Sequence, residues 1–222
     1  MGLNNVLVLS QVTTYILTLL LAFCIIIPIS FHLIDFKGHC LLFSNGTWRE
    51  SDGQLVVAWA SVGFCDYNLV WASISLFIAL IQTYRFAAQL CRGTESTFLS
   101  AFLDVVLSLM MSVAALAGAL IVTMGYQTWC DAIMMRFEAC EDATGNNIDK
   151  QDDIDTRMFY TQLGTAQFGA WTSWVCWVGL SMFAMLKLCK YHQQENIRVS
   201  MARERARLVR ERHSPLSEGG VF

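Results

Sequence analysis

Charged residues are scarce in this chain of 222 residues, where Asp, Glu, Lys and Arg together make up 15%. Soluble domains usually carry about 25%, and a hydrophobic share of 55% points in the same direction. Proline is rarer still, with two residues, of which only Pro28 lies near a long apolar run. Few buried charges and few helix breaks argue against a transport path built from interrupted helices.

The sequence also lacks the signature of an enzyme. Its four histidines are scattered along the chain, and no G-x-S-x-G, H-E-x-x-H or P-loop pattern occurs. The acidic stretches show no D-x-D-x-D-G spacing of a calcium loop. We therefore expect a protein that is not an enzyme and that uses no metal and no cofactor.

What the sequence does have is four long apolar runs. Each is at least about 20 residues long, enough to cross about 30 Å of hydrocarbon as a helix. None shows the polar stripe of a soluble amphipathic helix. The fold predicted is an all-α membrane protein, a bundle of four transmembrane helices within residues 1–190. The predicted spans are 6–29, 69–90, 98–126 and 163–188, the outside loops 30–68 and 127–162, and the tail 191–222.

The distribution of charge predicts the orientation. From Lys187 to Phe222 there are eight Lys and Arg against four Glu, and the link after the second span carries Arg85 and Arg92. The loop 127–162 holds eight acidic residues. The positive-inside rule therefore places both termini and the basic tail in the cytosol. We expect a multi-pass protein of the plasma membrane or of the secretory pathway.

Cysteines and a sequon agree with that orientation. An N-glycosylation sequon begins at Asn45, in the first outside loop. Cys40 and Cys65 lie in the same loop, and Cys130 and Cys140 lie in the second. Even numbers of cysteines in an oxidising compartment indicate disulfides, and four cysteines allow three connectivities. We favour Cys40–Cys65 and Cys130–Cys140, because pairs within one loop close without rearranging the helices.

The first outside loop is predicted to form a small antiparallel sheet. Residues 40–43 and Thr47-Trp48 flank Asn45-Gly46, and Asn-Gly is the favoured pair for a type I′ hairpin turn. Residues 54–64 are rich in Val and aromatic residues and form the candidate for a third strand.

Within the spans, Asp104 is the residue singled out, because ionisable groups in a bilayer are costly and mark functional candidates. The alternative is that it reaches the membrane interface or pairs with Arg85 or Arg92, which lie at the same level. Small residues continue the helical face of Asp104, either for packing within the bundle or as the face for a partner. They are Ser108, Ser112, Ala115 and Ala119.

Four further cysteines have no outside partner. Cys24 and Cys176 lie inside spans and are predicted to be packing residues. Cys91 and Cys189 lie at the cytosolic ends of the second and fourth spans. Juxtamembrane cysteines of this kind are either S-palmitoylated or plain free thiols.

Several motifs resemble the transmembrane protein 179 family over nearly the whole chain, from Leu3 to about Glu195. They are Gly38 to Phe43, Ser100 to Leu103, Trp129 to Asp131, Cys140-Glu141, Phe159-Tyr160 and Ala166 to Gly169. The resemblance implies four spans on a plan similar to that of claudins and related tetraspan proteins. The W-x-x-W-x-x-C signature of claudins is absent, so a paracellular barrier function does not follow.

Tetraspan proteins of this plan often act as auxiliary subunits, and this gives the leading hypothesis. We expect a non-catalytic glycoprotein that contacts the lipid bilayer and associates with an ion channel or receptor, and that binds no nucleic acid. One alternative is a channel or transporter formed by a homo-oligomer, with Asp104, Ser108 and Ser112 along its path. Another is an adhesion or junction protein, which an exposed Trp48 in the first loop would favour.

Overall fold

The structure is a computed structural model that describes residues 3–51, 53–92, 98–146, 148 and 154–213, with side chains between residues 6 and 210. Four helices dominate it, and each contains one predicted span. They are α1 (Leu3–Asp35), α2 (Gly63–Arg92), α3 (Phe98–Ile133) and α4 (Phe159–His213). All four are long and apolar enough to cross a membrane, which confirms the predicted fold class.

The helices are longer than the apolar runs because their ends continue past the hydrocarbon. α1 has 33 residues, which corresponds to about 50 Å against a hydrocarbon core of about 30 Å. It continues through Pro28 and ends at Asp35, and α2 begins at Gly63. The irregular part of the first outside loop is therefore shorter than the sequence indicated.

The bundle is packed unevenly. α1 packs extensively against α2 and α4, and α3 packs extensively against α4, whereas α2 and α3 approach each other much less. Glycines permit the tight crossings, since small residues let helix backbones come close. A Cβ added to Gly169 on α4 would lie 3.1 Å from the side chains of Cys24 and Ile25 on α1.

The first outside loop contains two strands, β1 (Asn45–Trp48) and β2 (Leu55–Ala58). They are antiparallel, with Asn45 opposite Ala58 and Trp48 opposite Leu55. The predicted antiparallel sheet is confirmed, but with two strands. The residues after Ala58 do not extend the predicted strand, because α2 starts five residues later.

The predicted type I′ turn at Asn45-Gly46 is wrong. Both residues belong to β1, and neither has the positive φ which that turn requires. The hairpin instead reverses between Trp48 and Leu55, where Gly53 has φ 68°. Gly46 serves cross-strand packing, because a Cβ there would lie 2.8 Å from Cδ1 of Leu55.

Residues 40–43 were expected to form the first strand and do not. Leu41 and Leu42 are fully buried among the helix ends. The backbone N–H of Phe43 donates to the carbonyl of Gly125 on α3 at 3.1 Å. Burial of both leucines and a hydrogen bond to a helix replace the alternating, half-exposed pattern of a strand.

The second outside loop covers the first. It contains a short 3₁₀ turn, Cys140–Ala143. The carbonyl of Ile148 accepts a hydrogen bond from the backbone N–H of Leu55 at 2.8 Å, and Asp155 N–H donates to the carbonyl of Asp35 at 3.1 Å. The two loops therefore form one outer layer on the ends of α1 and α3.

Candidate functional site

A charge cluster joins α2, α3 and α4 at the end of the bundle opposite the two loops with the disulfides, which is called the inner end below. The Asp104 side chain is 3% exposed, and its carboxylate accepts hydrogen bonds from Nη2 of Arg85 at 3.0 Å and from Nε2 of Gln82 at 3.1 Å. Nη2 of Arg85 also donates to Oγ of Ser100 at 2.9 Å. A carboxylate removed from water needs such partners. Of the alternatives given for Asp104, the one found in the structure is the ion pair with Arg85.

Lys187 on α4 belongs to the same cluster, and the sequence analysis missed it. Its side chain is 4% exposed, and its Nζ lies 4.9 Å from the ring centroid of Phe86. The Cζ atom of Arg85 lies 5.4 Å from the same centroid. Nζ of Lys187 has no hydrogen-bond partner among the described groups. The cluster therefore brings two basic side chains against one aromatic ring, and the carboxylate of Asp104 is bound to one of them.

Arg85, Asp104 and Lys187 are the only Asp, Glu, Lys or Arg residues in the four apolar runs. The fold collects all three at one depth, near the end of α2, the start of α3 and the end of the apolar part of α4. The sequence did not predict Lys187 as a buried site residue, because it is the last but one residue of its apolar run and was counted with the basic tail. The signal that would have found it is that each run contains at most one charge, always near the same end.

The row of small residues on α3 lies inside the bundle. Ser108, Ala115 and Ala119 are buried, and Ser112 is half-buried. The hydroxyl of Ser108 donates to the carbonyl of Val105 at 3.0 Å, so it is satisfied within its own helix. These side chains serve packing between helices of this chain and do not form an exposed face.

Polar contacts along the bundle are local and separate from one another. Nε1 of Trp177 donates to Oγ of Ser75 at 3.1 Å, midway along α2 and midway along the apolar run of α4. Nearer the outer end, Nε1 of Trp171 and Nε2 of Gln167 both donate to Oγ1 of Thr123. Aromatic packing of Tyr15 against Phe86 and Trp177 separates these contacts from the charge cluster.

Both predicted disulfides are present in the outer layer. Cys40 is bonded to Cys65, which ties the loop after α1 to the first turn of α2, and Cys130 is bonded to Cys140. Cys40 and Cys65 are fully buried, whereas Cys140 is half-buried. The two bonds therefore differ in their exposure to solvent.

The sequon is exposed and Trp48 is not at a free tip. Asn45 and Thr47 are both exposed, on one face of β1. Trp48 is half-buried, and its Nε1 donates to the carbonyl of Ala132 at 2.9 Å. The Trp48 ring also packs on Phe137 and under the guanidinium of Arg136. The exposed aromatic tip that would favour adhesion is therefore absent at this residue.

The free cysteines separate into two classes. Cys176 is buried and Cys24 is half-buried within the bundle, whereas Cys91 and Cys189 are exposed. Among the residues that the structure describes, no group of three or more His, Cys, Asp or Glu is placed to hold a metal ion.

Comparison with known proteins agrees with this architecture. The family model "Transmembrane protein 179/179B Claudin domain" matches residues 7–209, which is most of the chain. The match continues past Glu195, where the resemblance seen in the sequence ended, and includes the exposed part of α4. No solved structure matches the chain. The chain belongs to the claudin-like transmembrane protein 179/179B family.

Proposed function

We propose that this chain is a non-catalytic partner protein that associates laterally, as an auxiliary or regulatory subunit, with an ion channel or receptor in the same membrane. The observation that supports the proposal most is the loose contact between α2 and α3. A pair of helices that is incompletely packed within its own chain leaves surface for a helix of another chain.

α2 and α3 are held together at two places. Near the outer end of α2, the hydroxyl of Tyr67 donates to the carbonyl of Ala114, midway along α3, at 3.0 Å, and Trp71 lies against Gly118. At the inner end, Arg85 and Asp104 form their ion pair. We call the stretch between these contacts the α2–α3 seam.

The seam presents apolar side chains outward. Met110 on α3 is 68% exposed, and Ile74 and Ile81 on α2 are about half exposed or more. In a bilayer, helices associate mainly by close packing rather than by the hydrophobic effect. A partner helix whose side chains fill the seam would make more van der Waals contacts there than lipid chains make.

The buried polar groups support the role of a partner protein better than the role of a pore-forming channel. The three charges of the apolar runs lie together near the inner ends, and Asp104 is already bound by Arg85 and Gln82. A conducting path needs polar groups along its length, whereas Ser108 is buried and bonded within α3. The channel alternative therefore has less support than lateral association.

We also infer that the outer layer faces the lumen or the exterior and that both termini are cytosolic. Two disulfides in that layer fit an oxidising compartment. The exposed sequon at Asn45 lies in the same layer. The tail, with its excess of Arg and Lys, lies at the other end of α4.

The experiment is affinity purification of the tagged full chain in mild detergent from its native tissue, with Met110→Trp as the test variant. The larger side chain would fill the seam and displace a partner helix. Leu20→Trp is the matched control, because Leu20 is also an exposed apolar residue but lies on α1, which borders α2 and α4.

The expected result is one channel or receptor that co-elutes in stoichiometric amount with the wild type and with Leu20→Trp, and that is lost with Met110→Trp. A homogeneous homo-oligomer without a partner would overturn the proposal and favour a channel. A partner retained by both variants would place the contact away from the seam.

A further inference from the structure

We propose that two copies of this chain pair side by side in the membrane, in the same direction, through the part of α4 beyond the bundle. Every described side chain of this part, residues 192–210, is exposed. Ile197, Met201 and Leu208 are 56%, 52% and 60% exposed. At about 100° per residue, the three lie within about 40° of one another around the helix, and we call them the tail stripe. Val199 and Val209 lie about 100° or more from its centre.

The tail stripe continues the lipid-facing side of α4. Val175 and Leu186 in the apolar run are more than half exposed, as Ile197 and Leu208 are. These four residues follow one another at intervals of eleven residues, which is close to three turns of an α-helix. They therefore form one row along α4. The tail stripe points away from its own bundle, on the side where a second copy can approach.

A second copy fits the tail stripe better than the membrane surface does. α4 has no Pro or Gly between Lys187 and its end at His213, so nothing in this part bends the helix toward the lipid. Met201 lies about 16 Å beyond Lys190 along the helix, and Leu208 about 27 Å beyond it. The stripe thus stands clear of the bilayer, whereas a second copy in the same bilayer has its own stripe at the same height.

The charges beside the stripe complement each other between two parallel copies. Arg205 lies about 60° to one side of the centre of the stripe, and Glu204 lies about 40° to the other side. Two copies inserted in the same direction are related by a two-fold axis along the membrane normal, which brings opposite sides of the two helices together. Arg205 of each copy therefore faces Glu204 of the other copy. In the sequence, the same Glu-Arg pair recurs seven residues later at positions 211–212.

The membrane supplies what such a short interface lacks. An exposed ion pair contributes at most about 1 kcal/mol, and the stripe has three apolar side chains. The bilayer aligns the two helices and raises their effective concentration, because both leave it in the same direction and at the same height. The α2–α3 seam lies on other helices, so pairing through α4 holds or fails independently of the proposed function.

The test is disulfide cross-linking of the full chain in intact membranes, with Cys91 and Cys189 replaced by Ser because they are exposed free thiols. In this background, Met201→Cys treated with copper phenanthroline is expected to give a band of the mass of two chains on a non-reducing gel. Arg203→Cys is the matched control, because Arg203 is also exposed but lies about 140° from the centre of the stripe. It is expected to give several-fold less dimer.

The charges beside the stripe provide a second arm, read with the same Met201→Cys cross-link. Arg205→Glu alone places Glu against Glu, and Glu204→Arg alone places Arg against Arg, so each is expected to lower the amount of dimer several-fold. Chains with the two single substitutions are then expressed together with tags of different size. They are expected to cross-link with each other at least as well as the wild-type pair, because every Arg then meets a Glu.

The amount of each variant in the membrane fraction shows that equal amounts are compared. The absence of a dimer from Met201→Cys overturns the proposal, and so does a dimer of equal strength from Arg203→Cys. A cross-link to a protein of another mass also overturns it, because the stripe then docks a different partner. Mixed chains that cross-link no better than either single charge variant overturn the parallel arrangement.

Discussion

The indole of Trp71 on α2 occupies the space that a Cβ on Gly118 of α3 would need. Trp71 is buried, and its Nε1 donates to Oδ1 of Asn68 at 3.4 Å. Because α2 and α3 make few other contacts, this crossing and the ion pair between Arg85 and Asp104 set the distance between the two helices. At this crossing, the width of the α2–α3 seam therefore depends on Gly118.

Gly118→Ala is expected to lower stability, because the added methyl group displaces Trp71, and overpacking of this kind costs about 1–3 kcal/mol. Gly179→Ala on α4 is the matched control, since a Cβ there meets no atom within 4 Å, and alanine favours a helix over glycine by up to about 1 kcal/mol. The melting temperatures of the purified variants in mild detergent measure both effects. Equal melting temperatures would show that the bundle absorbs the methyl group.

Asp104→Ala is expected to destabilise the protein by about 2–3 kcal/mol, because it leaves the buried side of Arg85 without its counter-charge. The effect is smaller than for a fully buried pair, since the Arg85 side chain is 38% exposed. Replacing both partners with apolar residues, as in Arg85→Met with Asp104→Leu, is expected to recover most of the loss. Unfolding of the wild type, Arg85→Met, Asp104→Leu and the double variant in a double-mutant cycle gives the coupling. Additive effects would mean that the pair contributes nothing.

The two disulfides are expected to be reduced in a fixed order. Cys130–Cys140 is reduced first in the folded protein, because Cys140 is half-buried, whereas Cys40 and Cys65 are both fully buried. Differential alkylation during a titration with a phosphine reductant, followed by mass spectrometry, measures the order. Reduction of Cys40–Cys65 at the lower concentration of reductant would contradict the packing of the outer layer.

Asn45 is expected to carry an N-linked glycan if the outer layer lies in the lumen, because Asn45 and Thr47 are both exposed on β1. Peptide-N-glycosidase treatment should increase the gel mobility of the wild type and leave Asn45→Gln and Thr47→Ala unchanged. A wild-type band that does not shift would remove one support for the proposed orientation. Protection of a C-terminal tag from protease in sealed vesicles then decides the orientation independently.

The four helices could be predicted from the sequence because a bilayer imposes a simple rule on length and composition. The disulfide pairs followed from loop membership, since each loop contains two cysteines. The absence of a turn at Asn45-Gly46 could not be predicted, because the preference of Asn-Gly for a tight turn is local. Burial of Leu41 and Leu42 against the helix ends outweighs that preference. Lys187 was hidden for a similar reason, since only tertiary packing brings it next to Phe86.

α4 is a single helix of 55 residues, Phe159–His213. At 1.5 Å per residue it is about 80 Å long, and its residues from His192 to Arg210 are exposed. The outer turn of this helix adjoins the second loop, and its far end stands well clear of the bundle. In a straight helix of this length, a tilt of a few degrees at the outer layer would move the far end by several ångströms. A protein bound to the exposed part of α4 would thereby sense events on the opposite side of the membrane.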